Sequence, residues 1–162
     1  MAKSETFGIS ELTKAFRELK VGMSEQRVGR AMVASGGAVL KRKAKANAQA
    51  LGLKRTGALI KNIVIKRETQ APPGTVQYHL GVRHGRHLTK KQKASSKLGV
   101  NGSGRIVKRY DDDPYYWMFL ELETDKRDAT PYLAPALEQG KEEVIDAMAK
   151  RLQREQEKAG KQ

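Results

Sequence analysis

The residues whose types and spacing could support chemistry are few. His84 and His87 form an H-x-x-H pair, and Asp111, Asp112 and Asp113 form an acidic triplet; together these are the raw material of a metal site. The two histidines stand among lysines and arginines that repel a cation, and no carboxylate at fixed ligand spacing accompanies them. They are read as surface histidines beside a turn-forming acid cluster, with no metal and no cofactor expected. Glu121 and Glu123 are two residues apart; on a strand they would share a face, and paired carboxylates can do acid–base work. Nothing else converges on them, so salt bridges to a basic surface are the expectation. The serines, at 4, 10, 24, 35, 95, 96 and 103, lie in no G-x-S-x-G or S-x-x-K setting. Gly99 to Gly104 (GVNGSG) lacks the Lys-Ser/Thr of a phosphate-binding loop. The chain reads as a non-enzyme.

Composition narrows the remaining classes. The 162 residues suit one domain over 1–162, with flexible termini. The absence of cysteine removes disulfides, thiolate zinc sites and a cysteine nucleophile together. No apolar run approaches the roughly 18 residues of a membrane span, and MAKSETFG is not a signal sequence; synthesis in the cytoplasm and no membrane partner are expected. The net charge is +14, with a sequence pI near 10.1, which favours a polyanionic neighbour. No acid occurs between Glu68 and Asp111. Nine bases (Arg83, Arg86, Lys90, Lys91, Lys93, Lys97, Arg105, Lys108, Arg109) lie in residues 83–109, leaving +5 for the rest of the chain. This segment has no interleaved aromatics to stack on bases, so it is not expected to read sequence. It is suited to tracking phosphates non-specifically or to docking on an acidic protein, and both remain open.

Hydrophobic periodicity supplies the elements that position these residues. Ser10 caps an expected short helix to Lys20, with Leu12, Ala15, Phe16 and Leu19 on one face and Gly22 ending it. A longer helix is expected from about Ser24 to Leu51, with Val28, Met32, Ser35, Val39, Ala44, Ala48 and Leu51 near one stripe. Gly29, Gly36 and Gly37 within it imply either close approach to a neighbour or a kink, since each costs about 1 kcal/mol relative to alanine. Thr56-Gly57 turns the chain. Leu59 to Glu68 and Thr75 to Arg83 read as an antiparallel pair of strands joined by Ala71-Pro72-Pro73-Gly74. Residues 84–109 show no persistent period and read as a long basic loop insertion or an extended hairpin arm with its tip near Val100 to Gly104. Six of the nine aromatic residues lie at Tyr110, Tyr115, Tyr116, Trp117, Phe119 and Tyr132. They mark an apolar block ending in acids, followed by a charged bend from Thr124 to Asp128 and a proline-flanked run into a final helix expected from Pro135 to Lys158. Leu137, Gly140, Val144, Met148 and Leu152 give that helix a buried stripe. The expected class is α+β: N-terminal helices, a small antiparallel β-sheet with the basic loop or arm, and a long C-terminal helix packed on the sheet.

The order of these parts resembles a known family. Thr56, Gly57 and Leu59 match a T-G-x-L; Tyr115, Tyr116, Trp117, Phe119, Glu121, Leu122 and Thr124 approximate an aromatic segment ending in E-F-G-T. Pro131, Tyr132, Leu133, Pro135, Ala136 and Leu137 match P-F-L-R-P-A-L at the start of a terminal helix. The chain thereby resembles the tail-completion and head–tail joining (morphogenesis) neck proteins of lambdoid long-tailed bacteriophages, over about residues 10–150. Glu123 stands where that family prefers glycine, and Ala134 where it has arginine. The resemblance implies a structural virion protein that assembles as a ring, six subunits being the expected number, and joins tail to head. Its implied partners are the tail terminator, tail-tube and head-side connector proteins and the double-stranded DNA in the channel. The alternative is a non-specific nucleic-acid-binding protein using the basic 83–109 segment.

Overall fold

The computed structural model describes residues 8–17, 25–54 and 56–160. Its architecture is α+β: α1 (Ile9–Arg17), α2 (Glu25–Ala50), α3 (Ala58–Asn62), β1 (Ile63–Arg67), β2 (Tyr78–Val82), a 3₁₀ turn (Gly85–His87), α4 (Lys90–Ala94), β3 (Ser96–Val100), β4 (Ile106–Tyr110), α5 (Trp117–Glu121) and α6 (Leu133–Gly160). Two antiparallel two-stranded sheets result, β1 with β2 and β3 with β4.

The frame is the antiparallel pair of α2 and α6. At 26 and 28 residues they span roughly 40 Å, and their backbones approach where glycines remove side-chain bulk. A Cβ at Gly36 would lie 2.9 Å from Val144 Cγ1, and one at Gly140 would lie 2.9 Å from Leu40 Cδ2. Gly37 makes the same kind of room for the Ile65 side chain of β1. The helix runs unbroken through Gly36-Gly37, so close approach, not a kink, accounts for these glycines. Ser35 Oγ, inside the seam, donates to the Met32 and Ala147 carbonyls, and Arg42 and Lys43 reach Glu143 at 3.0 and 2.6 Å. At the far end Glu155 is buried between Arg27, Arg151 and Lys158.

One core cluster gathers Leu12, Val28, Met32, Ala149 and Leu152 where α1 crosses this pair. The other joins Ala44, Ala48, Leu59, Ile63, Val82, Leu120, Tyr132, Leu133 and Ala136, so the first turn of α6 meets the β1–β2 sheet there. In that sheet Ile63 faces Val82 and Ile65 faces Leu80, the side chains that turn toward α2; Lys66 and His79 are paired on the outer face.

Several expected boundaries move. α1 begins at Ile9, which puts Ser10 inside the first turn and not at the cap; Leu19, Lys20, Gly22 and Ser24 lie outside the described residues. The first half of the Leu59–Glu68 run is helical: Gly57 adopts a left-handed φ of 74°, and its carbonyl accepts the Lys61 N–H, closing a turn of helix before β1. The second strand starts at Tyr78, leaving Val76 outside the ladder. Leu51 and Leu137 are exposed and leave the stripes assigned to them. α6 begins two residues before Pro135, which is third in the helix and still within the turn whose N–H groups need no intrahelical acceptor.

Replacing Gly36 by leucine should overpack the seam and lower stability by about 1–3 kcal/mol in urea unfolding. Alanine at Gly102, whose Cβ would meet nothing, should stay within about 0.5 kcal/mol of the parent.

Candidate functional site

Segment 83–110 is two structures. Its first part is fastened to the body. Leu88 is buried, the Gly85 N–H donates to Asp113 Oδ1 at 3.0 Å, and Asn62 binds three ways. The buried Asn62 amide donates to the Ala58 and Asp112 carbonyls and accepts from Gln92 Nε2 at 2.9 Å. Gln92 belongs to α4, which starts with a full capping box: Thr89 Oγ1 accepts the Gln92 N–H and Gln92 Oε1 accepts the Thr89 N–H. A short helix thus replaces the structureless loop expected there. The second part, β3 and β4, is the hairpin arm, with its turn at Asn101–Arg105.

The nine bases spread over both parts. Arg83 follows the last residue of β2, Arg86 sits in the 3₁₀ turn, Lys90, Lys91 and Lys93 are on α4, and Lys97, Arg105, Lys108 and Arg109 are on the arm. Among the described residues, Lys97 with Asp111, at 3.2 Å, is the one ion pair these nine make. Arg109 crosses the arm over Gly99 and donates to the Val100 carbonyl at 2.7 Å.

The other candidate chemistry resolves into structural roles. Asp113 takes the Gly85 N–H, the Asp112 carbonyl takes the Asn62 amide, and Asp111 pairs with Lys97, so the triplet ties the arm's root to the body. The His87 ring is held below its ordinary protonation range by burial first, then by Arg86, Lys66, His84 and Lys93. Arg86 Nε donates to its Nε2 at 3.3 Å. That electropositive setting repels a metal cation, and among the described residues no three potential metal ligands gather. Ser35 and Ser95 direct their hydroxyls to backbone carbonyls.

The aromatic block is a shelf. α5 turns Leu120 inward and rests Tyr116 and Trp117 against the larger core, Trp117 tilted on His84 at 6.0 Å. Tyr115, Met118, Phe119 and Leu122 face out, Tyr115 at 71% exposure. Tyr115, Tyr116 and Phe119 border a groove of about 350 Å³ with Leu53 and Arg127. Glu121 and Glu123 do not share a strand face: Glu121 is the last residue of α5 and Glu123 is exposed beyond it. Nor does Glu121 pair with the basic surface. Its carboxylate accepts the N–H groups of Tyr132 (2.9 Å), Leu133 (3.0 Å) and Ala134 (2.8 Å), closing the N-terminus of α6.

The three motif runs therefore meet. Thr56 Oγ1 accepts the Ala58 N–H, Gly57 sets the left-handed turn, and Leu59 reaches the core that holds Tyr132 and Leu133. Pro131 is exposed just before α6, and Pro135 is half-buried within its first turn. Burial, then Glu121 and Tyr116, raises the Tyr132 phenol far above its usual range, and among the described residues its hydroxyl has no protein partner.

Compared with known proteins, the chain matches no family model, no curated protein and no solved structure. No described helix is long and apolar enough to cross a membrane.

Glu121→Ala should strand three helix N–H groups and lower stability by about 2–3 kcal/mol, with Gln recovering part of the loss, as read by chemical denaturation. Tyr132→Phe should leave stability unchanged or raise it, since the hydroxyl it removes is unpaired; a loss above about 1 kcal/mol would mean that a bound water satisfies it.

Proposed function

We propose that this chain is a structural virion subunit, a tail-completion or head–tail joining component in the neck of a tailed bacteriophage. It assembles there as a ring, with six subunits expected, around the channel through which double-stranded DNA passes. The observation that carries this reading is the α5 shelf, where Tyr115, Met118, Phe119 and Leu122 are held outward within eight residues of chain. Four large apolar side chains exposed within so short a segment suit an interface.

The resemblance adds support through the roles of its residues. The T-G-x-L, the acid ending the aromatic segment and the P-Y-L-A-P-A-L run form one mechanical unit, in which the second closes the helix opened by the third over a core lined by the first. These are positions a fold would retain while its surfaces diversified. The tail terminator, tail-tube and head-side connector proteins are the partners this role requires, and the virion is its place.

A second reading is favoured by a separate observation. Eight of the nine bases in 83–109 make no ion pair among the described residues, which suits non-specific contact with a phosphate backbone.

Particles produced without the protein should appear in electron micrographs as tailless filled heads beside free tails. Complete virions under the same conditions would remove the joining role. The isolated monomer should bind a random-sequence duplex weakly at physiological salt; tight, steeply salt-dependent binding would favour the second reading.

A further inference from the structure

We infer that the β3–β4 arm of one copy docks on the α5 shelf of a second copy of this chain, in a head-to-tail contact. The inference deepens the assembly reading and rests on it only in requiring a second copy.

The arm's chemistry is two-sided. In its register Leu98 faces Lys108 and Val100 faces Ile106, so Leu98, Val100, Ile106 and Lys108 lie on one face. Leu98 and Ile106 are 74% and 75% exposed, and Val100 is also exposed. The opposite face carries Lys97, Gly99, Val107 and Arg109. A two-stranded ribbon is marginal by itself in water, and one with an aliphatic stripe in solvent is suited to being covered. A phosphate backbone has no use for that stripe, which selects a protein surface over nucleic acid as the occupant.

Charge selects which surface. Residues 83–110 hold nine bases and no acid, whereas residues 111–146 hold eleven acids and three bases (Lys126, Arg127, Lys141). The second region contains the shelf, and in the same stretch Glu123, Asp125 and Asp128 in the bend and Glu138 and Glu142 on α6 are exposed. Within one subunit the two regions are joined by the Lys97–Asp111 pair, itself solvent-exposed. Arg127 borders the groove and Lys126 neighbours it, so the complementarity is regional and not uniform. The arm thus carries an aliphatic stripe among bases, and the shelf lies in a stretch of chain whose exposed charges are mainly acidic.

The two patches differ in shape and charge and lie on different parts of the chain, so their contact is heterologous. Repeated, such a contact closes a ring when the rotation permits and otherwise makes a filament.

The test is sedimentation velocity on the full chain, with circular dichroism confirming that each variant is folded. An arm variant (Leu98→Ser with Ile106→Ser) and a shelf variant (Tyr115→Ser with Phe119→Ser) change exposed side chains. Each should weaken assembly at least about tenfold relative to the parent. An equimolar mixture of the two should form dimers and stop there, because each copy retains one intact half of the contact. Either variant assembling as the parent does, or a mixture that stays monomeric, would overturn the inference while leaving a ring built by another interface in place. A parent that remains monomeric at every concentration would overturn both. An arm variant that loses affinity for a random-sequence DNA duplex but keeps its assembly would assign the arm to nucleic acid and overturn the inference as well.

Discussion

The carboxylate of Glu121 closes the N-terminus of α6, and most of the architecture depends on that contact. Three backbone N–H groups at the start of a 28-residue helix point at one side chain from eleven to thirteen residues upstream. A negative charge there compensates both the unsatisfied donors and the positive end of the helix dipole. Because Glu121 ends α5, the same contact fixes the angle between the shelf and α6. The Thr130 N–H to the Leu120 carbonyl, at 2.7 Å, and the tight Thr124–Arg127 bend hold the segment between them. With its first turn seated against Leu59, Ile63 and Val82, α6 lies along α2, and the glycines at 36 and 140 let the two backbones close together.

Long-period features were legible in the sequence, while features made by distant partners were not. The glycines of α2 pointed to close approach because glycine in a helix interior has few other uses, and the α2 stripe from Val28 to Ala48 emerged at the expected positions. The β1–β2 pairing followed from alternation. Pro135, the local signal, marks the start of α6 two residues late, because the group that closes the helix lies across a bend. Leu59 to Asn62 reads as the start of a strand because Ile60 and the β-branched residues after it favour one; the left-handed turn at Gly57 overrides that local preference. In the basic segment the signal for α4 was present in Thr89-Lys90-Lys91-Gln92, a capping box, and was masked by the density of lysine. The role of Asn62 had no sequence signature, since its three partners lie at 58, 92 and 112.

The buried Asn62 and Glu155 and the half-buried Glu121 hold elements of the fold together, and the proposed assembly role falls to what the chain holds outward. The motif residues of the aromatic block divide accordingly: Glu121, Tyr116 and Trp117 serve the fold, while Tyr115, Phe119 and their neighbours Met118 and Leu122 form the shelf. The basic segment divides in the same way, with its first half pinned through Leu88 and Gln92 and its second half extended as the arm. Opposite charge on the arm and on the region around the shelf is what turns two exposed apolar surfaces into a matched pair.

That pairing is most directly tested by hydrogen–deuterium exchange of the unmodified chain at low and high protein concentration. The account predicts that amides of 96–110 and of 115–122 gain protection together as concentration rises, while those of α2 and the middle of α6 stay unchanged. Exchange independent of concentration, or protection of the arm that appears only when duplex DNA is added, would contradict it.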